Sequence, residues 1–171
     1  YIVPNKLASR VFPDVTDFKC LMLQESNGDE KAKSPTGATG LFQLTSIALQ
    51  DVLGYKLTSA ERYEYYSGEK NADVAFRYIV KLVGYIRAGL VSVGINPDDV
   101  SATDYRFLVT ISYNQGPTIT NKAIRKAKEG AQNITYKNVE NIGIVTRMFS
   151  QEALGYVPTI EYIKTNTTKL V

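Results

Sequence analysis

The sequence contains no histidine and a single cysteine, Cys20. Without histidine the common zinc sites and the Ser-His and Cys-His nucleophile systems are excluded, and one cysteine cannot close an internal disulfide. No stretch approaches the roughly 18 consecutive apolar residues that span a bilayer, so no membrane insertion is expected and the chain reads as soluble. There is no internal repeat and no low-complexity segment, and no basic region followed by an apolar run of the kind that opens a signal peptide. Because the chain starts at Tyr1, two expectations follow: an export signal is absent or already removed, or the chain is cut from a larger parent protein or assembly. The chemistry left to it must use carboxylates, hydroxyls and amides, and neither a metal nor a cofactor is expected.

What is present is enough apolar material for one core. A chain of 171 residues with 44% hydrophobic content is expected to form a single domain over residues 1–171, with a core at about 14–163 and polar ends that could link to other segments. Twenty basic residues against seventeen acidic ones give a net charge of +3, which suits work on an anionic surface. Lys122, Arg125, Lys126 and Lys128 cluster, and the spacing reads first as a solvated helix face.

Helical spacing dominates the chain. From Asp14, with Pro13 before it, the pattern Val15, Phe18, Leu21, Met22, Glu25 places one face inward, and Asn27-Gly28 marks the exit. Residues 27 to 40 are rich in Gly, Ser, Lys and Pro and read as a loop, followed by a helix capped near Thr45 or Ser46. Thr58-Ser59-Ala60-Glu61 has the capping-box pattern, and Ala72, Ala75, Phe76, Ile79, Val80, Val83 and Ile86 predict a long buried helix closed by Gly89 and Gly94. Asn96 to Asp99 is a turn, Ser101 or Thr103 caps a helix that Tyr113-Asn114-Gln115-Gly116-Pro117 ends, and further helices are expected at 118–129 and 138–153. Gly155 is expected to break the chain before a short last helix opened by Tyr156-Val157-Pro158, with a frayed polar tail from Lys164 to Lys169. The fold class is therefore mainly α, with a short β or loop element after the first helix.

Chemistry concentrates at Glu25-Ser26 and the segment Ser34-Pro35-Thr36-Gly37-Ala38-Thr39-Gly40-Leu41-Phe42-Gln43. Glu25 falls in the last turn of its helix, where the negative end of the dipole and partial burial both disfavour an ionised carboxylate and are expected to raise its pKa. Glycines 37 and 40 suit a backbone that adopts positive φ or passes close to a ligand. This segment resembles the opening motif of the lysozyme-like lytic transglycosylases: Glu-Ser, a Ser-x-x-Gly-Ala-x-Gly loop, then Gly-Leu-Met-Gln. Asn71-Ala72 with Tyr78-Ile79 resembles that family's Asn-Ile-x-x-Gly-x-x-Tyr-Leu helix, with Ala75 in place of its glycine. Tyr113 to Pro117 resembles its Tyr-Asn-Ala-Gly-Pro loop, and Glu152 with Tyr156-Val157 its Glu-Thr-x-x-Tyr-Val ending. The motifs run in family order from about residue 16 to 163.

The resemblance implies a lysozyme-like fold and cleavage of peptidoglycan glycan strands in the periplasm or cell wall, by an exported bacterial enzyme or a phage lysin or virion domain. It implies that Glu25 protonates the glycosidic oxygen, that Ser34, Gln43 and Asn114 line the cleft, and that Phe42, standing where the family usually has methionine, meets a sugar. Tyr113 matches a tyrosine that approaches the acid, Glu152 one that helps form the cleft floor, and Tyr156 a further binding position. The family forms 1,6-anhydro ends without hydrolysis and without a metal or cofactor. Two other readings stand beside it: a hydrolytic goose-type lysozyme of the same fold, and a non-catalytic peptidoglycan-binding or assembly module. No nucleic-acid partner is expected.

Overall fold

The computed structural model describes residues 15–66, 68–131 and 133–167. Pro13, Asp14 and the tail beyond residue 167 lie outside them. The described chain is mainly helical. It carries α1 (Val15–Ser26), α2 (Ser46–Leu53), α3 (Ser59–Arg62), a 3-10 turn (Tyr63–Tyr66), α4 (Gly68–Ser92) and a second 3-10 turn (Pro97–Asp99). Then come α5 (Ala102–Gln115), α6 (Pro117–Glu129), α7 (Tyr136–Val145) and α8 (Gln151–Thr167). The β element is minimal: isolated antiparallel bridges Lys33 to Thr39 and Thr39 to Leu44 in the loop after α1. No helix among the described residues is long and apolar enough to cross a membrane.

Helix boundaries follow local chemistry. The hydroxyl of Thr45 accepts from the Ala48 amide at the start of α2, and Ser101 accepts from Asp104 at the start of α5. At α3 the capping box closes in both directions between Thr58 and Glu61. The hydroxyl and amide of Thr58 both donate to the Glu61 carboxylate, which holds that carboxyl below its usual range. Gly116, at φ 87°, turns the chain sharply enough for Pro117 to open α6 directly after α5.

The described chain divides into two compact units, one built on residues 15–81 with the stretch from Ile160, the other on Leu82–Thr159. In the first, Phe18 stacks on Phe42 at 4.2 Å between ring centroids and meets Phe76 edge-on at 6.1 Å. Asp17, almost wholly buried, accepts from Lys164 Nζ at 2.6 Å and so ties α1 to the end of α8. Lys81 makes a similar tie to Asp51 at 2.8 Å. In the second unit α6 packs on both α5 and α7. There the Tyr105 hydroxyl donates to the Val83 carbonyl at 2.9 Å, and Phe107 meets Tyr136 edge-on.

Four expectations need correction. The inward stripe of α1 is Asp17, Cys20 and Leu21, while Val15 is 67% exposed; the Asp17–Lys164 pair rotates the buried face away from the apolar spacing and leaves Glu25 half-buried on its flank. Gly89 does not end α4 but lies within it, and the Asn121 side chain packs so closely there that it leaves no room for a Cβ. The helix expected over 138–153 is two helices, broken where Arg147 takes φ 55°. Gly155 and Pro158 both sit inside α8, which runs through the stretch from Lys164 to Thr167 expected to fray.

Candidate active site

Glu25 is the penultimate residue of α1 and half-buried. Its neighbour Ser26 closes the helix: the hydroxyl donates to the Leu41 carbonyl at 2.8 Å and accepts from the Gly28 amide at 3.2 Å. Asn27 and Gly28, at φ 53° and 82°, reverse the chain. The end of α1 that carries Glu25 is thereby fixed to the polar loop. The two carboxylates nearest in sequence are engaged otherwise. Asp29 Oδ1 accepts from the Lys31 amide at 2.8 Å, and Glu30 lies against Gly68, where an added Cβ would meet Glu30 Oε1 at 2.6 Å. Gly68 is the first residue of α4, and the positive end of that helix favours an anion there.

The loop is held by its own side chains. Ser34 Oγ accepts from the Ala38 amide at 2.9 Å and pairs with Thr36 Oγ1 at 2.9 Å. Gln43, at φ 44°, donates both amide hydrogens inward, to Ala32 O at 3.1 Å and Gly40 O at 3.0 Å. Among the described residues no hydrogen bond uses its Oε1. The Arg62 guanidinium donates to Gly37 O at 3.0 Å and fastens the loop tip to α3.

Asn71 is the centre of this construction. Fully buried, it accepts from the Phe42 amide at 2.8 Å and donates to Thr39 O at 3.2 Å and Tyr65 O at 2.8 Å. Gly40 takes φ 78°, and a Cβ on it would stand 2.5 Å from Asn71 Nδ2, so the close approach that requires glycine here is to an asparagine of the same chain.

In the second unit Tyr113 and Asn114 lie half-buried in the last turn of α5. Asn114 Nδ2 donates to Glu152 Oε1 at 2.9 Å, so the structure brings these two expected site residues together across 38 positions. Glu152 is exposed in the first turn of α8, where a carboxylate is favoured by the dipole, and it accepts from Asn114. Phe42, expected against a sugar, and Tyr156, expected as a further binding position, are both buried, each residue 2% exposed. Lys122, Arg125, Lys126 and Lys128 all lie on the outward face of α6, opposite Thr120, Ala123, Ile124 and Ala127.

Sequence reasoning assigned no job to Asn71, to the Ser26 hydroxyl or to the tyrosines of the 3-10 turn. The signal was the run Tyr63-Glu64-Tyr65-Tyr66, whose density of aromatic rings exceeds what a short exposed turn needs. Among the described residues no group of three or more carboxylate, imidazole or thiol side chains is placed to hold a metal ion. A family model described as Transglycosylase SLT domain matches residues 7–135. No curated protein matches the chain.

Proposed function

Because the chain belongs to the Transglycosylase SLT domain family, whose members act on peptidoglycan, we propose that it cleaves the β-1,4 bond between N-acetylmuramic acid and N-acetylglucosamine without hydrolysis. Glu25 donates its proton to the glycosidic oxygen as the bond from muramyl C1 breaks. The substrate's own acetamido group steadies the positive charge at C1. Glu25, now a carboxylate, takes the proton from the muramyl C6 hydroxyl as that oxygen bonds to C1, which yields a 1,6-anhydro end and returns the acid to its starting state. No water enters.

The observation that carries this reading is the half-buried acid, Glu25, at the end of α1 beside the polar loop. Hydrolysis by the common two-carboxylate routes needs a second carboxyl about 5 to 9.5 Å away, and both acidic neighbours in the loop have other structural work. An acid that must also serve as base, acting on a hydroxyl the substrate brings with it, fits what the segment offers. Gln43 Oε1 is assigned to an acetamido N–H and Ser34 to the loop edge facing the glycan, with Tyr113, Asn114 and Glu152 completing the binding residues.

The test is the product set released from purified cell wall. Mass spectrometry should show anhydro-muramyl ends from the parent protein, and Glu25→Gln should lose at least about 100-fold in release, the scale of general acid catalysis. Reducing ends alone would make the protein a goose-type lysozyme. If the parent clears nothing and Glu25→Gln binds wall equally well, the protein is a binding module.

A further inference from the structure

A hollow of about 530 Å³ lies between the loop and the 3-10 turn, lined by Glu30, Lys31, Lys33, Thr39, Tyr63 and Tyr66. Its volume falls in the range of small-ligand sites. Its walls are fixed from two sides. Arg62 holds the loop tip through Gly37 O, and Asn71 bonds Thr39 O on one wall and Tyr65 O beside the other. The Lys33 backbone pairs with Thr39 in the bridge. A ligand would therefore meet a surface already in place, without an ordering cost.

The electrostatics select the ligand. Tyr63 and Tyr66 sit 5.0 Å apart, and Lys33 Nζ stands over both rings, 5.5 and 5.6 Å from their centroids. The two rings hold that ammonium at the hollow rather than in bulk water. Lys31 adds a second positive charge. The one negative group, Glu30, is turned to the start of α4, where the helix dipole offsets it. A cationic hollow with aromatic walls matches a carboxylate on a short apolar body.

We infer that this hollow binds a carboxylate of the peptide stem that peptidoglycan strands carry, and so makes the protein prefer peptide-bearing glycan to bare glycan. The inference rests on the proposed substrate, and names which part of that substrate the loop reads. Lys33 supplies the charge, the tyrosines hold it and flank the aliphatic portion of the stem, and Lys31 reinforces the field. A glycan bound here instead would stack on Tyr63 and be indifferent to the charge of Lys33.

Calorimetric titration on the Glu25→Gln background, with a sugar-free stem peptide bearing its free carboxylates and with chitotetraose as bare glycan, tests it. Stem peptide should bind the otherwise unaltered protein and weaken at least about tenfold in Lys33→Met, as expected for loss of one charge-assisted contact. Lys33→Arg should restore it, and amidating the carboxylates should reproduce the loss. Chitotetraose binding should not change in either Lys33 variant. Absence of stem binding, or stem binding indifferent to Lys33→Met, overturns the proposal; loss of chitotetraose binding in Tyr63→Ala, with the stem unaffected, gives the hollow to glycan instead. Because these are binding measurements on a protein without its acid, they stand or fall independently of whether the parent releases anhydro ends.

Discussion

Asn71 decides more of the local structure than any other single residue near Glu25. Both ends of its amide are used, one accepting and one donating twice, and all three partners are backbone groups of the loop and the 3-10 turn. Asn71→Asp keeps the acceptor for the Phe42 amide but sets a carboxylate oxygen against two carbonyls in a fully buried place. Stability should fall by about 3 kcal/mol at neutral pH, the cost of two lost donors and a buried, unpaired charge. Burial and repulsion raise that new carboxyl in the folded state above its unfolded value near 4, so the deficit should be largest at neutral pH and above, shrink as pH falls from the raised folded value toward about 4, and stay level below that. Urea unfolding at acid and neutral pH measures this, and a deficit independent of pH would show that the buried charge contributes nothing and that the lost amide donors carry the whole cost. The sequence made the position visible as part of a motif without indicating what it does. Likewise it made glycine at 40 legible as a positive-φ residue, but the crowding atom was expected to be a sugar and is the Asn71 amide. Chain-local conformation can be read from residue type; the identity of a neighbour 31 positions away cannot.

Helices separate the legible from the illegible by how local their signals are. Starts at Thr45, Thr58, Asn96 and Ser101 were readable because a hydroxyl or amide that caps does so within three residues. The break between α7 and α8 was not. Its geometry is a Schellman turn, with Met148 N bonded to Gly143 O at 2.9 Å and Arg147 N to Ile144 O at 3.0 Å, but the left-handed residue is Arg147 where glycine is usual. The glycine that matters is Gly143, four residues earlier, on which the Phe149 ring rests. Within α8 the opposite happens. Gly155 and Pro158 read as breakers, yet the helix continues to the residue pair Asp17–Lys164, a buried tie near its far end that local propensity cannot anticipate. Pro158 is exposed, removes the amide that would bond Leu154 O, and clashes with that carbonyl. Pro158→Ala should therefore stabilise the protein by about 1 to 3 kcal/mol, read as a higher urea midpoint at unchanged slope. No gain would mean that the helix needs the bend that proline imposes. The same division holds for the candidate site: that Glu25, Ser34 and Gln43 belong to one short segment is legible in the sequence, whereas the burial of Phe42 and Tyr156 depends on packing that spacing does not contain.

At the scale of the molecule, pH should act most plainly at the alkaline end of the range. With no histidine, no unperturbed side chain changes charge between about pH 5 and 8, so a change of stability there would report a perturbed group. The chain has twelve tyrosines instead, and they divide by environment. Tyr105 and Tyr136 are buried, and burial is the main force that drives both phenols far above their usual range; for Tyr136 the hydrogen bond to Glu140 adds to it. An unfolded chain releases those two protons near pH 10, while the folded chain holds them well beyond. The folded state therefore binds more protons than the unfolded one above pH 10, and stability must fall with each further rise while remaining unaffected below it. Circular dichroism against pH should show helix lost cooperatively above pH 10, with a step in tyrosinate absorbance at the same midpoint. Tyr105→Phe separates the causes. It forfeits the bond to Val83 O, about 1 kcal/mol at neutral pH, but it also removes one of the two protons that the unfolded chain would shed, so its alkaline decline should be shallower than the parent's. An equal slope in the two proteins would place the alkaline transition on groups other than these buried phenols.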